Sequence, residues 1–227
     1  MSVTEDAGVR GLVLACGPDS PNFPEVDGLR VEHVPAVPGK ADVDPLLGES
    51  DHFIVAGTDA DLAAVVLRLL RKEQLSSVSV GYVPSSPDSV VSAIWRLPPT
   101  PIRALALALR GDVDPVPLIR DDAGGVLVGR GTFGTVRGVA YCDEHNVLRG
   151  PARAIEVEPD DQGGPGLSVR VVKGAFFKRP VDYTGRAFQL GCVPAWPVSD
   201  GVAYPRAVSK WTWYRHTEDL RLVRGLG

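Results

Sequence analysis

Apolar and polar positions fall into two textures along the chain. Gly11 to Ala15 is a continuous apolar run closed by Cys16-Gly17-Pro18, the pattern of a buried parallel strand and a turn. Leu29 to Val34 alternates and predicts a second strand, and Pro45 to Leu47 predicts a short helical turn. Phe53 to Ala56 is a third strand, Gly57 to Asp61 is turn chemistry, and Leu62, Val65, Val66, Leu69 and Leu70 recur at helical spacing. A helix is therefore expected over 61–72. Val78 to Val83 predicts a fourth strand, and Asp88 to Trp95 a helix closed by Pro98. Gly17, Pro18, Pro21, Pro24 and Gly28 argue against a full helix between the first two strands.

Beyond residue 100 the apolar period is mostly two, and Pro98, Pro99 and Pro101 read as a hinge before it. Strands are expected at Pro115–Arg120, Val126–Thr132, Arg137–Cys142, Ala152–Glu158, Leu167–Lys173, Ala187–Cys192 and Lys210–His216, with Asp160 to Gly166 as a hairpin loop. The expected fold class is α/β plus β: an α/β, nucleotide-binding-like domain over 1–100 and a mainly antiparallel β-sandwich over 101–227.

Composition agrees with many short strands and tight turns, since the chain carries 25 glycines and 20 prolines. A net charge of −4 argues against nucleic acid as a partner, because phosphate neutralisation needs basic residues in excess. Met1 to Arg10 holds two acids and no apolar core of the secretory kind, and no apolar run reaches the roughly 18 residues of a membrane span. The three cysteines, Cys16, Cys142 and Cys192, give no disulfide or zinc spacing, so a cytoplasmic location is expected. Cys142-Asp143-Glu144-His145 gathers metal-binding residue types, but it lacks a partner cluster and reads as a polar turn.

The stretch from His52 to Leu70 is where chemistry would sit. A strand, a tight turn and a helix start place backbone N–H groups and a positive helix end at a strand's carboxyl end, where α/β folds bind phosphate. An ordinary βα unit has the same pattern. Gly57-Thr58-Asp59-Ala60-Asp61-Leu62-Ala63-Ala64-Val65-Val66 also resembles, without gaps, the Gly-Gly-Asp-Gly-Thr-Leu-Asn-Glu-Val-Val loop of the diacylglycerol kinase and NAD kinase superfamily. The Asp is kept as Asp59; the second and third Gly, the Thr, the Asn and the Glu are replaced by Thr58, Ala60, Asp61, Ala63 and Ala64. Pro84-Ser85-Ser86-Pro87-Asp88-Ser89-Val90-Val91, with Pro98 beyond it, is similar in spacing to the family's Pro-x-Gly-Thr-Gly-Asn-Asp-Phe segment and has lost most of its residues. Gly111 to Leu118, and Pro197-Val198-Ser199-Asp200-Gly201-Val202, resemble segments of the lipid kinases' β-domain, after which the chain of that family returns to the first domain.

The resemblance implies ATP and Mg²⁺ as cofactors, a lipid or other alcohol as acceptor, Asp59 as the catalytic carboxylate, and Gly57, Thr58, Asp59, Ala60, Asp61, Ser85 and Ser86 at the nucleotide. Read from the residues alone, Asp59 is equally a helix cap. Thr58 and Ala60 add Cβ atoms where phosphate needs close backbone approach, and a carboxylate at Asp61 repels phosphate. Two functions therefore stand: an ATP-dependent lipid kinase-like enzyme, or a catalytically degenerate binding protein that uses the cleft between its domains for a lipid, nucleotide or protein partner. A homodimer is left open. Lys210 to His216 is expected to form core with Trp211 and Trp213 beneath Arg215 as a cation–π lid. Phe176, Phe177, Lys178 and Arg179 combine aromatic and basic residues, so any membrane contact is expected to be weak, peripheral and located there.

Overall fold

The computed structural model describes residues 11–22, 28–174 and 180–225. Residues 176–179, the expected membrane contact, lie outside them. The chain divides into two compact units, and no helix among the described residues is long and apolar enough to cross a membrane.

The first unit takes in the described residues up to Ser92, then Arg96–Pro115 and the segment from Arg221. Its strands are β1 (Gly11–Cys16), β2 (Leu29–Val34), β3 (His52–Gly57) and β4 (Ser79–Pro84), and its helices α1 (Lys40–Val43), α2 (Asp59–Arg71), α3 (Val90–Trp95) and α4 (Pro101–Arg110). The strands form a parallel sheet in the order β2-β1-β3-β4. Both sheet faces are covered, which explains the continuous apolar runs. Ala104, Leu105 and Ala108 of α4 pack against Val13, Ile54, Ala56 and Val83. Gly81 lets α4 come this close, since a Cβ there would lie 2.6 Å from that of Ala108. Leu62, Val65, Val66 and Leu69 of α2 are buried along with the alternate residues Phe53 and Val55 of β3.

One expectation fails here for a local reason. Pro101 is the first residue of α4, where a missing N–H costs nothing, so the proline cluster starts a helix of the first unit and is not a hinge. The short helical turn expected at Pro45 is present as a 3-10 turn over Asp44–Leu46, and α1 before it is too short to show a period in the sequence. Asp44 anchors this corner through a bidentate pair with Arg68 of α2, at 2.7 and 2.9 Å. The segment from Arg221 runs along β4, with Val80 N donating to Arg221 O and Val223 N to Val80 O, both at 2.8 Å.

His52 opens β3 half-buried, with Nδ1 2.8 Å from Ser79 Oγ and Nε2 2.8 Å from the Ala108 carbonyl. That carbonyl accepts only, so Nε2 carries the proton and Nδ1 accepts. Burial lowers the His52 pKa from 6.5, against the opposing effects of the Ala108 carbonyl and Asp51. The unfolded chain then protonates first as pH falls, so this part of the stability is full above about 6.5 and is lost as pH drops toward the lower folded value. Chemical denaturation between pH 7 and 5 is expected to show falling stability, with a shallower fall in His52→Gln. An unchanged slope in that variant contradicts the assignment. Some slope persists because His216 is shifted the same way by burial and Arg120.

The second unit, Val116–Leu220 with Ala93–Trp95, the last residues of α3, is otherwise antiparallel β. Its strands are β5 (Ile119–Asp121), β6 (Val126–Leu127), β7 (Gly131–Phe133), β8 (Val136–Cys142), β9 (His145–Ala152), β10 (Ala154–Pro159), β11 (Leu167–Val172), β12 (Val181–Gly185), β13 (Ala187–Ala195), β14 (Pro197–Ser199), β15 (Val202–Ala203) and β16 (Val208–Arg215). They form two six-stranded sheets, β12-β11-β10-β7-β14-β15 and β6-β5-β16-β13-β8-β9. One apolar cluster draws on both, including Phe133, Ile155, Val157 and Val169 from the first and Ala140, Phe188, Trp211 and Trp213 from the second. Trp213 is edge-on to Phe133 at 5.6 Å and stacked on Phe188 at 6.2 Å. The tryptophans are core as expected, but Arg215 bonds Asp219 at 2.7 Å.

The loop at Asp160–Gly166 joins β10 to β11, and Cys142–His145 is the tight turn from β8 to β9. β9 was hidden by Gly150 and Pro151. It is an edge strand, where a proline removes no needed hydrogen bond.

Candidate functional site

The carboxyl ends of β1, β3 and β4 and the start of α2 bring the expected loop together. Thr58, at φ −85° and ψ 169°, is the N-cap of α2, and Asp61 is its third helical residue. Thr58 Oγ1 accepts from Asp61 N at 3.3 Å, while Asp61 Oδ2 accepts from Thr58 N at 2.7 Å and from Thr58 Oγ1 at 2.8 Å. This is a capping box. The other oxygen of Asp61 accepts from Val37 N at 2.6 Å, and the residue is 1% exposed. Val37 holds φ at +50°, a conformation that costs a β-branched residue energy and is sustained here by that bond. Gly57 leaves room for the arrangement, since a Cβ on it would fall 2.4 Å from Asp61 Oδ2.

Asp59 is not the cap of its own helix, which corrects the capping reading. It is the first residue of α2, and its side chain crosses to the start of α3. Oδ1 accepts from Tyr82 Oη at 2.8 Å and Ser89 Oγ at 2.6 Å. Oδ2 accepts from Val90 N at 2.8 Å and Val91 N at 3.3 Å. Asp59 thus caps α3 from a distance, alongside Ser89, whose Oγ accepts from Ser92 N at 3.0 Å. Neither Asp59 nor Asp61 has an ion pair among the described residues; neutral donors compensate both.

Of the other loop residues, Ala60 is half-buried on α2, and Ser85 N donates to Gly57 O at 2.8 Å. Ser86 is exposed, and its Oγ accepts from Asp88 N at 3.1 Å. The structure therefore gathers Gly57, Thr58, Asp59, Asp61 and Ser85, with Ser86 at the rim. Tyr82, Ser89, Val37 and Cys16 join them unforeseen. Burial and then the Asp59 charge push the Tyr82 hydroxyl far above its usual value, and burial and then Asp61 push the Cys16 thiol up to about 12. Both stay protonated at neutral pH and supply no nucleophile. A cavity of about 390 Å³ lies at the opposite strand ends, lined by Gly11, Leu12, Arg30, Gly48, Glu49, Ser50 and Asp51. Its Arg30 already pairs with Glu32 and Glu49.

A parallel sheet followed by a two-sheet antiparallel unit, with the final segment back on β4, has counterparts among solved structures. A diacylglycerol kinase from Bacillus anthracis str. Sterne matches with a TM-score of 0.70 at 11% identity, covering 95% of this chain and 97% of that one. An NAD kinase from Archaeoglobus fulgidus, solved with ATP, matches with a TM-score of 0.59 at 12% identity over 95% and 94%. The chain has the diacylglycerol kinase and NAD kinase-like fold. Yeast NADH kinase, solved with NADH, shares this fold at a TM-score of 0.52 and 9% identity, over 97% of this chain and 85% of that one. No family model matches the chain, and no curated protein is similar enough in sequence to align with it. Within the diacylglycerol kinase and NAD kinase-like fold, Gly57 to Asp61 is the loop whose sequence resembles the Gly-Gly-Asp-Gly-Thr segment.

Proposed function

We propose that the protein is a catalytically degenerate member of the diacylglycerol kinase-like fold, acting by binding and not by phosphoryl transfer. The observation that carries this reading is the state of the loop's two carboxylates. Asp59 is held by four donors within the chain, so engaging a metal or a phosphate means breaking the cap of α3. Asp61 accepts the N–H groups of Val37 and Thr58, so an internal anion takes up donors that a phosphate would seek. ATP and Mg²⁺ do not fit residues arranged this way.

The kinase reading requires the opposite, an Asp59 free to reach metal-bound phosphate and glycines that allow close backbone approach. Titrating the wild-type protein with ATP and Mg²⁺ separates the two. Weak or undetectable binding is expected, and tight metal-dependent binding favours the kinase.

A further inference from the structure

We propose that the outward face of the β16-β13-β8-β9 sheet docks on an anionic lipid bilayer. Alternation fixes what lies on this face, because Trp211, Trp213, Phe188, Leu190, Ala140 and Cys142 all point into the core. Their neighbours Lys210, Thr212, Gln189, Gly191, Val139 and Tyr141 therefore point outward. Strand register sets these in rows: Lys210 opposite Gly191, Gly191 opposite Val139 and Val139 opposite Arg149, with Arg137 opposite Pro151 one step along. Three strand spacings, roughly 14 Å, separate Lys210 from Arg149.

Charge identifies the occupant. Arg137, Arg149 and Lys210 are exposed and form no ion pair among the described residues, and the outward positions of these rows hold no carboxylate although the chain is acidic overall at −4. The nearest acids along β8, Asp143 and Glu144, lie in the turn beyond Tyr141, and the Asp143 carboxylate is turned onto Arg186 N and Ala187 N. Arg120, opposite Tyr214 on β5, is half-buried and stands apart from this exposed set.

Between the cations the face is apolar. Val139 is 37% and Tyr141 39% exposed, while further along β13 Val193 is 63% exposed and Trp196, just past its end, 59%. Tyrosine beside exposed aliphatics and free cations suits a headgroup region, where apolar contact and anionic lipid act together. Nucleic acid is the poorer fit, because a long set of phosphate contacts is needed to hold an acidic protein. The inference does not rest on the loop's chemistry.

Co-sedimentation with vesicles of phosphatidylcholine alone or mixed with phosphatidylserine tests the proposal. Each basic residue near an anionic leaflet changes partitioning on the order of five-fold. Wild type is expected to bind the anionic vesicles only and to lose binding in about 1 M salt, where screening is nearly complete. Arg137→Glu, Arg149→Glu and Lys210→Glu together should cut binding by about 100-fold or more. Arg103→Glu, an exposed control on α4, should leave it unchanged. If the triple variant does not keep wild-type circular dichroism and melting, Lys210→Glu alone should still lower binding by about five-fold or more. The proposal is overturned if wild type ignores anionic vesicles or if the folded variants bind as wild type does. It is also overturned if binding is lost only on changing Phe177 and Lys178, or if the protein binds a single-stranded oligonucleotide and no vesicles.

Discussion

Asp59→Asn is expected to lower the unfolding free energy by about 2–3 kcal/mol, because its carboxylate accepts four hydrogen bonds and an amide can accept at one atom only. Either Tyr82 and Ser89 or the N–H groups of Val90 and Val91 would then face an NH₂ group. Judged from the sequence the same change is nearly neutral, since Asn caps a helix as well as Asp does. The two expectations differ because the cap is made across the fold to α3 and needs both oxygens. Equilibrium denaturation of the two proteins decides, and a loss below about 0.5 kcal/mol is within the range of a bare surface change and contradicts the bonding described.

Restoring the loop, with Thr58→Gly, Ala60→Gly and Asp61→Thr together, is expected to tighten ATP binding by at least about tenfold, or ~1.4 kcal/mol. It removes the internal anion, releases the N–H groups of Val37 and residue 58, and takes away two Cβ atoms. The same change removes the capping box and a carboxylate that is 1% exposed, so a stability loss of about 2–4 kcal/mol accompanies it. Gain of ligand affinity with loss of stability is the pattern that marks Asp61 as a surrogate for phosphate. Calorimetry and denaturation on one preparation measure both. A less stable variant with unchanged ATP affinity shows that Asp61 is a structural residue only. A further Asp59→Asn should undo any Mg²⁺-dependent part of the gain.

The parallel sheet was legible because strands buried on both faces read as unbroken apolar runs, as at Gly11–Cys16 and His52–Gly57. The β unit was legible from alternation, with Trp211 and Trp213 pointing inward as their spacing requires. Elements too short or too punctuated for a period escaped, among them α1, β9 and β14. The Thr58-x-x-Asp61 spacing already carries a capping-box signature, so the inward turn of Asp61 could have been read from the chain. Its bond to Val37 and the reach of Asp59 to Tyr82 and Ser89 could not, because each joins residues more than twenty positions apart. Local pattern fixed where the loop lies; long-range hydrogen bonds decide what its acids do.

The most direct measurement is isothermal titration of the unmodified protein with ATP in the presence of Mg²⁺. With Asp59 and Asp61 both occupied by donors of the chain, binding is expected no tighter than the high micromolar range, on the order of 5 to 6 kcal/mol, and unaffected by Mg²⁺. Tight, Mg²⁺-dependent binding, with transfer of phosphate to a lipid or other alcohol that Asp59→Asn abolishes, contradicts the degenerate reading and establishes the kinase.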